Sequence, residues 1–246
     1  MNISQKQKKQ NRKKIIAAAV EIITASDFKS ATMRAIAREA GIADATIYKY
    51  FPTKESILFG YYNDHMEALI KALKAIDDFN TYGFQAQLQT VLETSLELYL
   101  PDREFVAATH KTVFLSFSAD FKHLKPIRKM LNDIIKDIFE AAIEVDEIPD
   151  QMFLDISHQF FWDYYIAMVH YWIKDDSDQF TDTSVLIDKC LDLACGMIKA
   201  GIANKVFDIL TFLFKQHVLS HLSYVKERVD MVHNIKRRFM EHLDED

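Results

Sequence analysis

The chain has 246 residues, more than one average domain and fewer than two, so a small module joined to a larger one is what its length favours. Apolar residues make up 49%, which excludes a disordered chain, and only five Gly and four Pro punctuate it, too few for the turns of a sheet protein this long. Charge is unevenly divided. Residues 1–60 carry 11 Lys and Arg against 5 Asp and Glu, a net +6, and the remaining 186 carry 19 against 31, a net −12. An acidic body thus bears a basic head suited to a polyanion, either nucleic acid or an anionic membrane.

In chain order, residues 1–10 are polar and basic without apolar periodicity and read as a mobile arm. Ile15, Ile16, Ala19, Val20 and Ile23 recur at helical spacing over 11–25. A second helix is expected over 32–40, stopped by Gly41, a third and very short one over 44–50, and a fourth from Thr53, with Glu55 in its first turn. Further helices are expected over 53–76, 84–100, 103–118, 124–145, 150–174, 181–201 and 204–243, with breaks at Pro101, Pro126, Pro149 and the polar stretch 175–182. The fold class is therefore all-α: an N-terminal three-helix domain over 11–52, a helical bundle over 53–201 and an extra C-terminal helical segment over 202–246.

Two short helices around a glycine describe a helix-turn-helix, in which the first helix braces a second that lies in the DNA major groove. Met33, Ile36, Ala37 and Ala40 supply the bracing face, and Ile42 and Ile47 seal the turn. Thr46, Tyr48, Lys49 and Tyr50 offer hydroxyls and an ammonium to phosphates and base edges. Over residues 12–58, the Ala-Thr-Met-Arg-Ala-Ile-Ala run before Gly41 and the Thr-Ile-Tyr-Lys-Tyr-Phe-Pro-Thr-Lys-Glu run at 46–55 closely resemble the DNA-binding domain of the TetR/AcrR family of transcriptional regulators. The resemblance implies that Thr32, Thr46, Tyr48, Tyr50 and Lys54 contact the DNA backbone and that Ala43, Asp44, Ala45 and Lys49 reach base edges. It also implies a dimer on a double-stranded operator.

Three residues depart from the family pattern. Asp27 stands for a Gly after the first helix, which a left-handed Asp accommodates. Ala43 stands for a Ser, removing an N-cap, and Asp44 stands for a basic residue, to serve either as the cap or as an acceptor for cytosine N4.

The resemblance further implies that the eighth and ninth helices, 151–174 and 181–201, form the homodimer interface. The eighth, with Phe153, Phe160, Phe161, Trp162, Tyr164, Tyr165, Met168, Tyr171 and Trp172, is apolar almost all round. Phe59, Tyr62, Met66, Phe84, Phe105, Phe114, Phe117, Phe161 and Tyr165 are candidates to line a pocket for an apolar or aromatic small-molecule effector. Val218, Leu222, Val225, Val229, Val232, Phe239 and Leu243 keep a heptad register in the extra segment.

No phosphate-binding Gly-rich loop, nucleophile elbow or zinc signature occurs, so no catalytic residue, metal or cofactor is expected. His217 and His221 stand four apart without a third ligand, and His110, His158 and His170 read as core histidines with satisfied hydrogen bonds. Cys190 and Cys195 read as ordinary buried thiols. With no signal-peptide pattern and no run of 18 apolar residues, a cytoplasmic protein without membrane attachment is expected. The main expectation is a ligand-released repressor; a DNA-binding protein regulated by a protein partner, or acting architecturally, is the alternative.

Overall fold

A computed structural model describes residues 5–115, 121–151 and 154–213, and every regular element among them is helical. Phe117, Phe153, His217, His221 and the heptad segment lie outside the described residues.

Helix α1 spans Gln5–Ala25 and so takes in residues 5–10 of the segment expected as an arm. Residues 5–14 contain only Gln, Lys, Arg and Asn, mostly good helix formers, and Gln7 bonds Asn11 one turn on at 2.9 Å. The segment has no apolar stripe because it has no neighbour to bury one against: 5–10 are exposed, whereas Ile15, Ile16, Ala19 and Ile23 are buried.

The turn after α1 is made by a different device from the one expected. Asp27 is not left-handed; its carboxylate accepts from the Ser30 amide at 2.7 Å, which holds the Asp27 pKa below its ordinary value. Helix α2 (Met33–Glu39) starts where the Thr32 hydroxyl accepts from the Ala35 amide at 3.2 Å. It ends at Gly41, whose φ of +64° suits glycine, with the Gly41 amide on the Arg38 carbonyl and the Ile42 amide on that of Ala37. This 5→2 and 6→1 pairing is a Schellman stop.

Helix α3 (Asp44–Ile47) follows, and α4 (Lys54–Leu73) opens with a reciprocal Thr53–Ser56 capping box. Then come α5 (Phe84–Tyr99), α6 (Arg103–Phe114), α7 (Phe121–Glu144), α8 (Leu154–Trp172), α9 (Thr181–Lys199) and α10 (Ile202–Leu213). Pro126 does not start α7, as expected, but lies inside it, close enough to the N-terminus for the helix to lose a single early hydrogen bond. Glu147 beyond α7 caps α5, accepting from the Phe84 amide at 2.8 Å and from Lys199 at 3.1 Å.

The head packs as α1 on α2 and α2 on α3, and α1 also lies against α4 and α6. In the body α4 packs on α5 and α7, α5 on α9, and α8 on α7, α9 and α6. One apolar core runs without interruption from Ile15 in α1 to Cys195 in α9, so head and body are joined by packing as well as by α4. Arg12 ties them again: its guanidinium binds the Asp64 carboxylate at 2.6 Å and the Gly60 carbonyl at 3.2 Å and lies over the Phe51 ring. Gly60 is required there, since a Cβ would stand 2.7 Å from a Phe51 ring carbon.

Candidate nucleic-acid interface and effector core

The helix-turn-helix presents α3 outward. Ile36, Ala37 and Ile47 are buried completely beneath it, whereas Ala43, Asp44, Ala45, Tyr48 and Lys49 are exposed and Thr46 and Tyr50 half-buried. Tyr48 is 54% exposed, so its ring and hydroxyl are open to a partner. Thr32 is exposed on the same side; its oxygen caps α2, and its hydroxyl hydrogen remains to donate. Thr32, Arg34, Arg38 and Asp44 share a surface groove of about 610 Å³. The lysines Lys6, Lys8, Lys9, Lys13 and Lys49 line a second, larger groove with Tyr50 and Thr46.

Three of the site residues, Asp44, Tyr50 and Lys54, have neighbours that sequence does not reveal. Ala43 occupies the N-cap of α3 without a side-chain bond, and Asp44 does not replace it: its carboxylate pairs with Arg34 Nε at 3.1 Å. The arginine offsets the charge that would repel phosphate, and Arg34 and Arg38, absent from the sequence-based candidates, join the exposed cationic surface. The Tyr50 hydroxyl accepts from Asn11 Nδ2 at 3.0 Å, fixing the end of the recognition segment to α1. Lys54 was expected on the DNA backbone. Its ammonium instead sits on the carbonyls of Phe28, Lys29 (3.3 Å) and Ala31 (2.7 Å) and over the Phe28 ring, which occupies its three N–H groups.

In the body, Tyr62, Met66, Phe84, Phe105, Phe161 and Tyr165 are buried, and Phe59 and Phe114 half-buried. Tyr62, Phe105, Phe114 and Tyr165 lie in a set of touching aromatic rings with Tyr61, Tyr99 and Trp162, whereas Phe161 pairs separately with Tyr164. Phe59 instead stacks on His123, and Phe84 packs on Phe139.

Through this apolar interior runs a polar seam that sequence reasoning missed. His65 Nε2 and Ser95 Oγ are 2.8 Å apart, Ser95 Oγ and the Tyr165 hydroxyl 2.8 Å, and the Tyr62 hydroxyl and Thr109 Oγ1 2.8 Å. Tyr165 also donates to Tyr99, whose ring stacks flat on His65 with centroids 3.4 Å apart. Burial keeps His65 neutral, lowering its pKa to about 3, and raises Tyr165 to about 12 despite the bonds to Ser95 and Tyr99, which act the other way. Tyr61 donates to Asp102 at 3.0 Å, and burial and the carboxylate together hold that phenol protonated.

Helix α8 divides between two environments. Phe161, Trp162, Tyr165, Met168, Val169 and Trp172 face the core, whereas Phe160 and Tyr171 are exposed. Helix α9 exposes Val185, Leu193 and Met197. Asp175 shapes the junction between the two helices: burial pushes its pKa up, but bonds from Ser177 and Thr183 outweigh this and bring it to about 2. Cys195 is buried and Cys190 half-buried, both unpaired, and burial raises the Cys195 thiol to about 11.

A braced recognition helix with an exposed hydrogen-bonding face, carried by α4 on an aromatic helical body, defines a helix-turn-helix regulator with an effector domain. Residues 15–61 match the family described as bacterial regulatory proteins, tetR family, and residues 87–213 match the tetracyclin repressor-like C-terminal domain. The chain belongs to the TetR family of transcriptional regulators. It is similar to the fatty acid metabolism regulator protein of Bacillus subtilis (strain 168), at 27% identity over 200 residues, covering 81% of this chain and 100% of that one. Among solved structures it shares its fold with FadR from Bacillus subtilis in complex with stearoyl-CoA, at TM-score 0.59 and 24% identity, covering 72% of this chain and 96% of that one. It does so too with Thermus thermophilus FadR in complex with lauroyl-CoA, at TM-score 0.55 and 18% identity, covering 73% and 92%. Among the described residues no helix is long and apolar enough to cross a membrane.

Proposed function

We propose that this regulator is a homodimeric repressor that holds a palindromic operator through Thr32, Thr46, Tyr48, Lys49 and Tyr50, with Ala43, Asp44 and Ala45 facing the bases, and is released by a long-chain acyl ligand. The observation that carries the reading is the exposed α3 surface joined, through α4, to an interior in which Tyr62, Phe105, Phe114, Trp162 and Tyr165 form connected aromatic walls. An acyl chain suits such walls, because burying each methylene contributes about 0.8 kcal/mol. The acyl-CoA complexes of the two FadR proteins support the same class. The exposed apolar residues of α8 and α9 suit a second copy of the chain, which places two recognition helices on one duplex. Phosphate recognition belongs to Tyr48, Lys49 and the α1 lysines more than to Lys54, whose hydrogens are taken.

The test is to select a bound sequence from random duplex and titrate the complex with palmitoyl-CoA. Release by roughly 5- to 150-fold is expected for a coupling of about 1 to 3 kcal/mol. A selected duplex without inverted symmetry, or one held equally well with and without the acyl compound, overturns the reading.

A further inference from the structure

Helices α6 and α8 run antiparallel. Arg103 at the start of α6 donates to the Trp172 and Asp175 carbonyls at the end of α8, and Phe114 at the end of α6 faces Trp162 nearer the start of α8. Between these two contacts lies His110, fully buried, with neither ring nitrogen hydrogen-bonded, contrary to the satisfied core histidine expected from sequence. The Ile166 backbone lies near enough to favour the protonated ring weakly, but it makes no hydrogen bond of normal distance and angle to either nitrogen. His170 stacks beside it at 5.7 Å between centroids, with its own Nδ1 buried and unpartnered.

An unmade hydrogen bond at a buried nitrogen costs about 1 to 3 kcal/mol, and three such nitrogens stand together here. The buried polar groups of the seam beside it, His65, Ser95, Tyr165, Tyr62 and Thr109, have partners, which sets the His110 pair apart from them. The surroundings describe what fits. The Phe114 ring lies 5.1 Å from that of His110, and Tyr62 and Trp162 lie against Phe114, which makes an apolar approach from the α4 side. From the other side the exposed ammonium groups of Lys111 and Lys174 act on His170, so a negative charge is favoured at the surface end. A neutral imidazole offers one N–H and one lone pair, suited to a carbonyl oxygen rather than to a buried carboxylate. Burial and the neighbouring His170 keep His110 in that neutral form.

We propose that His110, backed by His170, is the seat for the acyl carbonyl of the effector, whose chain lies toward Tyr62, Phe114 and Trp162 and whose anionic head lies toward Lys111 and Lys174. This rests on the reading of the protein as an acyl-released repressor and names the polar contact that such a ligand makes. An acyl thioester of coenzyme A carries a neutral carbonyl and a separate anionic head, whereas a free fatty acid carries its charge on the carboxyl carbon itself.

The experiment measures Kd for the full-length protein with palmitoyl-CoA, with palmitate, and with the hexadecyl thioether of CoA, in which a methylene replaces the carbonyl. Palmitoyl-CoA is expected to bind more tightly than palmitate, whose carboxylate the neutral imidazole does not suit; tighter binding of palmitate overturns the seat. The thioether is expected to bind about 10-fold more weakly than palmitoyl-CoA, the effect of one hydrogen bond to a buried group. In His110→Leu that preference is expected to vanish, the two CoA ligands binding alike, and in His110→Gln, which keeps a donor, to return in part. A purely structural histidine would shift both ligands equally and leave their ratio unchanged. Equal affinity for palmitoyl-CoA and its thioether in the unaltered protein overturns the seat while leaving the acyl effector standing, and needs no variant to fold. Failure of both acyl compounds to bind overturns the acyl reading and the seat together.

Discussion

Replacing Lys54 by Met keeps the aliphatic stem and removes the ammonium, so it separates two roles for one residue. In the structure that ammonium holds the carbonyls of Phe28, Lys29 and Ala31 and covers the Phe28 ring at 4.4 Å, fixing the loop between α1 and α2. Hydrogen bonds from a charged donor contribute about 1.5 to 3 kcal/mol each, but the Lys29 carbonyl is exposed and rehydrates on loss, and the other two are only partly buried. Discounting for that leaves about 2 kcal/mol, with about 0.5 to 1 kcal/mol more from the ring contact. At fixed protein concentration the sum, about 2.5 to 3 kcal/mol, lowers Tm by roughly 5 to 12 °C. The slope of log affinity for the operator against log salt stays unchanged if no phosphate is lost. A phosphate contact at Lys54 has the opposite signature: Tm is preserved and the slope becomes shallower by about 0.9. Thermal denaturation and a salt titration on the same preparation decide between them. A stable variant with the shallower slope refutes the clamp.

Three further outcomes are expected. Because His65 is held neutral with a pKa lowered to about 3 against an ordinary 6.5, its contribution is fully present above about pH 6.5 and is lost as pH falls toward 3. Urea unfolding should therefore weaken by about 1.4 kcal/mol per pH unit on its account, and His65→Gln should remove that one-proton slope; a wild-type slope in the variant would disprove it. Gly60→Ala drives a methyl into the Phe51 ring and should cost about 1 to 3 kcal/mol, and a variant melting with the wild type would show that the ring gives way freely. Tyr48→Phe should weaken operator binding about 2- to 10-fold with Tm unchanged, since the hydroxyl is on an exposed side chain; equal affinity on the selected duplex counts against a phosphate contact there.

What could be read in advance was what short stretches of chain decide alone. Thr32, Gly41 and Thr53 act within four residues of themselves, through caps and a left-handed stop, so the order and spacing of α2, α3 and α4 were legible. The start of α1 is not legible, because apolar periodicity marks only helices that bury a face, and residues 5–10 bury none. The turn at Asp27 is ambiguous in sequence, because two different backbone solutions suit the same residue there. The contacts of Lys54 lie 23 to 26 residues back along the chain, and those of the seam through His65, Ser95 and Tyr165 lie 30 and 70 apart. Nothing local distinguishes a histidine with a partner from His110, which has none. The family resemblance supplies the proposed DNA contacts, whereas aromaticity alone supplies the candidate pocket residues. Aromaticity points to rings such as Tyr62 and Tyr165 but carries no signal for the small hydroxyls of Ser95 and Thr109 that bond them.

Helix α6 is where these two parts of the molecule meet. It lies against α1 and α4 on one side and α8 on the other, and carries Arg103, His110 and Thr109, each bonded or facing across a helix boundary. An interior packed at close to crystal density cannot widen between α6 and α8 without displacing one of them. Arg103 pins the start of α6 to the end of α8, so the proposed ligand would press the rest of α6 on α1 and α4, against which it packs. There α1 is bound to α4 through Arg12 and Asp64, and to the recognition segment through Asn11 and Tyr50, so α1 to α4 shift together. In a dimer such a shift changes the separation of two recognition helices, to which docking in successive major grooves, roughly 34 to 36 Å apart, is sensitive. The coupling proposed for the ligand therefore needs no distortion of the helix-turn-helix itself, only displacement of a head that its own hydrogen bonds keep intact.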